Sequence, residues 1–293
     1  MVWVKRATVG LLLLFTVAVL GITAFLSIQA QKKPDTNAYY VALGSSYAAG
    51  IGLGESADGT PLVCQRTIKS YSEQLARMLK LSLTDMSCSG AKTRHVVHGG
   101  QFFLGPQIDA IGPQTRLVTL TVGGNDVGYV GDLTMMAFRN RGGLTGWLIS
   151  NLTSEASPVE DRDFKTLKSD LVTTLRELSR RAPRAEIIVV TYPTILPARG
   201  TCENVGVNEA QAALIRSVGN KLAVVTREAA QETGATLVDM ATLSINHDAC
   251  SAVAWVNGAS PEDGAIFHPS EIGANATAKA ILGAITRNAP AMQ

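Results

Sequence analysis

The chain has 293 residues, enough for one large domain or two small ones with a substantial core. Charged residues are 17% of it, below the usual share of about 25%, and the formal net charge is +2. No run of five or more like charges occurs, which argues against nucleic-acid binding as the main function, and no fixed-period repeat is present.

The N-terminus carries the clearest topological signal. Lys5 and Arg6 precede an uncharged, largely apolar stretch over 7–28, and Lys32-Lys33-Pro34 closes it. As a helix this stretch would be about 33 Å long, enough to cross a bilayer. The basic flank would keep the N-terminus in the cytoplasm. Residues 1–30 therefore read as a signal peptide or an N-terminal membrane anchor. Ile28-Gln29-Ala30 is a passable cleavage site. The apolar segment is longer than the roughly 7–15 residues of a signal core, which leans the reading towards an uncleaved anchor. Either way the rest is exported, as a secreted chain or one tethered to the outer face of the cytoplasmic membrane.

Export makes the cysteines legible. There are four, Cys64, Cys88, Cys202 and Cys250. An even count in an oxidising compartment suggests two disulfides with three possible connectivities. Their spacings match no compact zinc motif. The economical pairing is Cys64–Cys88 with Cys202–Cys250, each closing a loop within one half of the chain.

Residues 31–38 form a short polar linker. A first strand is predicted over 39–43, an apolar run that stops abruptly at Gly44-Ser45-Ser46. A loop of glycines and small residues follows. A helix is predicted over 70–80, with Leu75, Met78 and Leu79 at helical spacing. A second strand over 81–87 ends in Cys88-Ser89-Gly90-Ala91, and a third over 116–122 ends in Gly123-Gly124-Asn125-Asp126. Residues 127–158 have no clear period and read as an insertion with some helix.

The best helix lies over 161–181, where Phe164, Leu167, Leu171, Leu175 and Leu178 make one apolar stripe and Pro183 stops it. A fourth strand covers 185–191. Asn208 is the candidate N-cap of a helix that Gly234 ends, with Leu214, Val218, Leu222 and Val225 inward. A fifth strand covers 236–240, and Ser270 is the candidate N-cap of a last helix to 287.

Five strands alternating with helices or long crossovers imply a three-layer α/β domain, with a mainly parallel sheet and helices on both faces. Such a sheet places all its carboxyl ends on one edge, where open α/β sheets bind ligands. Ser46, Gly90 and Asn125 follow strands one, two and three, so they converge. A serine hydroxyl becomes a useful nucleophile when a base takes its proton. The oxyanion formed on the substrate needs preorganised donors, worth about 3–4 kcal/mol each. The backbone N–H groups of Ser46 and Gly90 and the side chain of Asn125 suit that role. The base is one of His95, His98, His247 and His268, of which His268 sits just before the last helix, where a short loop could bring it over Ser46.

These stretches together resemble the SGNH, or GDSL-type, hydrolase family. Its blocks stand here in order as Gly44-Ser45-Ser46-Tyr47, Ser89-Gly90-Ala91, Gly123-Gly124-Asn125-Asp126 and His268-Pro269-Ser270. The spacing of Cys64, Tyr71, Leu75 and Cys88 further looks like a secreted actinobacterial esterase and lipase branch. The resemblance implies a flavodoxin-like fold over 39–293, with five parallel strands ordered 2-1-3-4-5. It implies Ser46 as nucleophile, Ser46, Gly90 and Asn125 as the oxyanion hole, and His268 as general base. Two positions depart from the pattern. The family usually carries Asp where Ser45 stands, and Asp three residues before the base, where Ala265 stands. Asp263 is the possible third triad member; the alternative is a main-chain carbonyl from Gly264-Ala265-Ile266.

The chain is therefore expected to be an exported serine esterase or lipase cleaving carboxylic esters, of a lipid or an acylated glycan, by a Ser–His dyad or triad. No cofactor, metal or nucleic acid is expected, and a monomer is. The rival readings are an acyltransferase onto a sugar or lipid alcohol, and a catalytically silent lipid- or glycan-binding module. His95, His98 and Asp109 are too few for a metal site, and His247-Asp248 reads as part of a stapled loop beside Cys250. Met135, Met136, Phe138 and Trp147 either line an acyl pocket, contact the membrane, or pack the insertion. The sequons at Asn151 and Asn275 are given no function.

Overall fold

The computed structural model describes residues 2–57 and 59–288, with side chains described from Leu14 to Arg287. In chain order the helices and strands are α1 (Val2–Ala30), β1 (Tyr40–Gly44), α2 (Ser46–Ala49), α3 (Tyr71–Leu79), β2 (Leu83–Asp85), α4 (Thr93–His98), β3 (Leu117–Thr121), α5 (Tyr129–Asn140), α6 (Gly143–Leu152), α7 (Phe164–Arg181), β4 (Glu186–Val190), α8 (Glu209–Thr233), β5 (Thr236–Val238), α9 (Met240–Leu243) and α10 (Glu271–Asn288).

The five strands form one parallel sheet in the order β2-β1-β3-β4-β5. Alternate residues of each strand point to opposite faces, and both faces are covered. Val41, Leu43, Val118, Leu120, Ile187 and Val189 pack towards α7 and α8, against Leu167, Leu171, Leu175, Ile215, Val218 and Leu222. Tyr40, Ala42, Leu117, Ile188, Val190 and Val238 pack the other way, towards Leu75 of α3 and Ala278 and Ile281 of α10.

Helix ends follow their capping chemistry. Asp163 accepts from the Thr166 N–H at 2.8 Å as N-cap, so α7 starts at Phe164, the first residue of the apolar stripe and three residues after the expected start at 161. Asn208 and Gln211 make a reciprocal capping box on α8, and Gly234 ends it in the left-handed conformation. Ser70 and Ser270 each accept an N–H three residues on. Strand β2 is shorter than the expected 81–87, but the Met86 and Cys88 N–H groups still donate to the Ala42 and Gly44 carbonyls of β1 at 2.8 and 3.0 Å, while Asp85 Oδ1 accepts from both the N–H and the hydroxyl of Ser87. The region 127–158 holds two distinct helices, α5 and α6, separated at Gly142.

The anchor expected over 7–28 falls in part on residues 7–13, whose side chains lie outside the described set. Residues 2–30 form one helix, but among the described residues no helix is long and apolar enough to cross a membrane. Anchoring to a membrane is not supported by the described residues.

Both disulfides pair as the economical reading has it, Cys64–Cys88 and Cys202–Cys250. The second closes the longer loop, with a sequence separation of 48. Loop closure of that length stabilises by about 4 kcal/mol, so Cys202→Ala/Cys250→Ala is expected to lower Tm by roughly 10 °C. Calorimetry of the double variant checks this, and a Tm within about 2 °C of the parent would contradict it.

Candidate active site

Ser46 opens α2 directly after β1 and is 8% exposed. The turn is held from the main chain. The Ser45 N–H donates to the Thr121 carbonyl at the end of β3 at 2.9 Å. The buried Gln107 amide spans Gly44, accepting from its N–H at 2.8 Å and donating to its carbonyl at 3.0 Å. Gly44 has φ 135°, and a Cβ there would lie 2.2 Å from the Thr121 carbonyl oxygen. Only glycine allows β1 and β3 to end this close together. As the first residue of a helical turn, Ser46 has an N–H without an intrahelical acceptor.

His268 reaches this serine from the loop before α10. Its Nε2 lies 2.8 Å from Ser46 Oγ, and its Nδ1 lies 2.8 Å from the Ile266 carbonyl. A carbonyl only accepts, so Nδ1 carries the hydrogen and Nε2 turns its lone pair to the Ser46 hydroxyl. Burial pushes the imidazole pKa down to about 4, and the Ile266 carbonyl offsets only part of that. The loop is fastened at several points. Asn257 donates its N–H to the His268 carbonyl at 2.9 Å and its side-chain amide to the Asp263 and Ala265 carbonyls at 3.1 and 3.2 Å. Phe267 is fully buried at φ 55°, a conformation costing a non-glycine residue about 1–2 kcal/mol. Its carbonyl accepts from the buried Tyr47 hydroxyl, which holds it there.

Asp263 is exposed and joins this loop through its backbone carbonyl. The Nδ1 position it was a candidate to fill is taken by the Ile266 carbonyl. A carbonyl two residues before the histidine closes the contact with no rearrangement, whereas a surface carboxylate would have to give up its hydration.

The Gly90 turn is tied to the same edge. The Cys88 N–H donates to the Gly44 carbonyl at 3.0 Å, and the Ser89 N–H to the Cys64 carbonyl at 3.1 Å. Gly90 itself sits at φ 81°, and among the described hydrogen bonds its N–H has no partner. The Gln101 amide holds the Ser89 carbonyl at 2.7 Å. From β3, Asn125 donates Nδ2 to the Ala91 carbonyl at 2.9 Å, which leaves one amide hydrogen of the side chain for another acceptor. Its neighbour Asp126 accepts from the N–H and hydroxyl of Thr93, the first residue of α4. Burial raises the pKa of that carboxyl.

The structure thus places Ser46 against His268, joins the Gly90 turn to the nucleophile turn through a main-chain bond, and ties Asn125 to the Gly90 turn through its side-chain amide. The other three histidines lie elsewhere in the hydrogen-bond scheme. His95 accepts from the Lys92 N–H and caps α4, His98 is exposed, and His247 stacks on Trp255 at 4.1 Å between ring centroids. Asp109 pairs with Arg181 at 3.0 Å. Of the apolar candidates in the insertion, Met136 belongs to the core, Phe138 lies under the Arg141 guanidinium at 4.8 Å, and Trp147 is exposed on α6. Gln107, Thr93 and the Tyr47 hydroxyl make contacts that sequence reasoning missed: the first two belong to no motif, and Tyr47 stands in the Gly44-Ser45-Ser46-Tyr47 block without a role of its own.

The GDSL-like Lipase/Acylhydrolase family model matches residues 42–276, a span that contains every block just described. The chain belongs to this family. As a member of the GDSL-like lipase/acylhydrolase family it is a carboxylic ester hydrolase. It is 33% identical to Lipase 2 of Streptomyces coelicolor over 245 residues, covering 80% of each chain. It is 28% identical to a lipase of Streptomyces rimosus over 272 residues, covering 92% of this chain and 94% of the relative. Among solved structures, the extracellular lipase of Streptomyces rimosus and a phospholipase A1 of Streptomyces albidoflavus each superimpose with a TM-score of 0.64 at 27% identity. Both cover 85% of this chain and 98% of the other.

Proposed function

We propose that this GDSL-family hydrolase is an exported enzyme that cleaves lipid carboxylic esters through a Ser46–His268 dyad. The observation that carries the reading is the pair of 2.8 Å contacts on His268, one to Ser46 Oγ and one to the Ile266 carbonyl. They orient a neutral imidazole with its free nitrogen on the hydroxyl it must deprotonate. Ser46 Oγ attacks the ester carbonyl as its proton passes to Nε2. The oxyanion is held by the N–H groups of Ser46 and Gly90 and by the second amide hydrogen of Asn125. Protonated His268 gives its proton to the leaving alcohol. Water, deprotonated by the same nitrogen, then releases the acid and restores the serine. The Ile266 carbonyl fixes the tautomer without a charge, so the imidazolium in transit is stabilised by a dipole alone. Export through residues 1–30 is supported by the two disulfides and by the extracellular Streptomyces rimosus relative.

Fluorophosphonate labelling tests this reading, with hydrolysis of short and long p-nitrophenyl esters in parallel. The oxidised protein is expected to label and turn over, and Ser46→Ala to lose both. Labelling that persists in Ser46→Ala would move the nucleophile elsewhere.

A further inference from the structure

Tyr192 follows β4 at the same sheet edge as Ser46, is buried, and is not part of any block described above. Its hydroxyl makes two contacts. It accepts the Gly124 N–H at 3.2 Å, and it shares a hydrogen bond with Ser45 Oγ at 2.8 Å. Gly124 is the residue before Asn125, and Ser45 is the residue before Ser46. One phenol oxygen therefore bridges the immediate neighbours of the nucleophile and of the side-chain oxyanion donor. The fit is close: a Cβ on Gly124 would lie 2.8 Å from Tyr192 Cζ, so the ring lies directly against that backbone. The base loop joins the same cluster. The Tyr47 ring packs on Tyr192 at 4.7 Å and on His268 at 5.0 Å between centroids, and its hydroxyl donates to the Phe267 carbonyl.

We propose that Tyr192 is a positioning residue that fixes the separation of the nucleophile turn and the oxyanion loop, with Ser45 as its partner. The inference rests on the dyad reading above. It also gives a physical role to Ser45, which stands where the family usually carries Asp. The phenol can accept the Gly124 N–H and donate to Ser45 Oγ, so the bridge is made without a charge, whereas a carboxylate at this fully buried position would bring one. Burial holds the Tyr192 phenol well above its usual pKa, so it stays neutral and takes no part as a base.

Attack demands near-contact alignment, and a misplacement of about 1 Å costs on the order of 100-fold in rate. Tyr192→Phe keeps the ring and its packing and removes only the bridge. It is expected to lower kcat by roughly 10- to 100-fold with KM changed less than about twofold, and to slow fluorophosphonate labelling by the same factor. Ser45→Ala should act in the same direction. Because the two substitutions break one bond, the double variant should be no slower than the slower single. A merely structural tyrosine would lower Tm and leave kcat, measured below Tm, unchanged. That result, or losses that multiply in the double variant, would overturn the inference. The parent reading has its own control: turnover abolished by Ser46→Ala alongside an unimpaired Tyr192→Phe removes only the positioning role, whereas an inactive, unlabelled wild type removes both.

Discussion

His268→Ala is expected to lower kcat by about 10⁴-fold or more, with Ser46→Ala/His268→Ala no slower than either single variant. The serine proton at neutral pH has one visible destination, the Nε2 that lies 2.8 Å away. Without it the hydroxyl must attack with its proton still attached, and the donors of the oxyanion hole supply only residual catalysis. His268→Gln keeps most of the volume and should be as inactive, which separates loss of the base from loss of packing. Asp263→Ala is expected to change kcat less than about threefold, since only its backbone carbonyl enters the loop. The pH profile gives an independent check. The base acts only when neutral, so kcat/KM should be level at neutral pH and fall on acidification through the imidazole pKa. Burial depresses that pKa to about 4, which places the acid limb well below the 6.5 of a free histidine. The linkage has a matching sign. Between the folded and unfolded pKa values the unfolded chain binds the extra proton, so the contribution of His268 to stability is lost as pH falls through that window. A kcat that survives His268→Ala within tenfold would return the base role to the other three histidines.

The reach of the sequence differed from element to element, for physical reasons. Helix α7 was legible because Phe164, Leu167, Leu171, Leu175 and Leu178 must all face one sheet, which writes a period into the chain. Helix α4 was not, since six residues are too few to establish a period, and its capping uses a Lys92 and His95 pair outside the usual cap residues. Helix α6 escaped for the opposite reason. Leu144, Trp147 and Leu152 are all more than 60% exposed, and the helix backs onto α5 through Gly146, so no polar face marks its outside. The strand ends that carry Ser46, Gly90 and Asn125 were readable because each needs glycine or a small polar residue where buried apolar residues stop. The partner of His268 was open between a side chain and a carbonyl, because a backbone acceptor leaves no residue type behind. Tyr192 had no signal at all: a lone tyrosine after a strand is ordinary, and only the fold places its hydroxyl between Ser45 and Gly124.

Asn125→Ala is expected to lower kcat by about 10²- to 10³-fold while KM moves little, because the oxyanion exists only in the transition state. The ceiling follows from the geometry. Asn125 is one of three candidate donors, and the N–H groups of Ser46 and Gly90 are backbone atoms that the substitution leaves in place. A loss near 10³ corresponds to about 4 kcal/mol, the most that one donor in a water-poor site has been found to supply. Nδ2 already spends one hydrogen on the Ala91 carbonyl at 2.9 Å, and that bond aims the amide plane. The substitution therefore removes both the donor and the brace on the Gly90 turn, and the upper part of the range is the better expectation. Asn125→Asp separates electrostatics from shape. Its side chain has nearly the same volume, but an ionised carboxylate only accepts, and it would face both the Ala91 carbonyl and the developing oxyanion. It should be slower than Asn125→Ala, with the gap narrowing as pH falls and the carboxyl protonates. Fluorophosphonate labelling should slow in the same order, since the phosphonyl oxygen occupies the position of the oxyanion. If Asn125→Ala keeps kcat within threefold, the second amide hydrogen is aimed elsewhere and the hole consists of the two backbone donors alone.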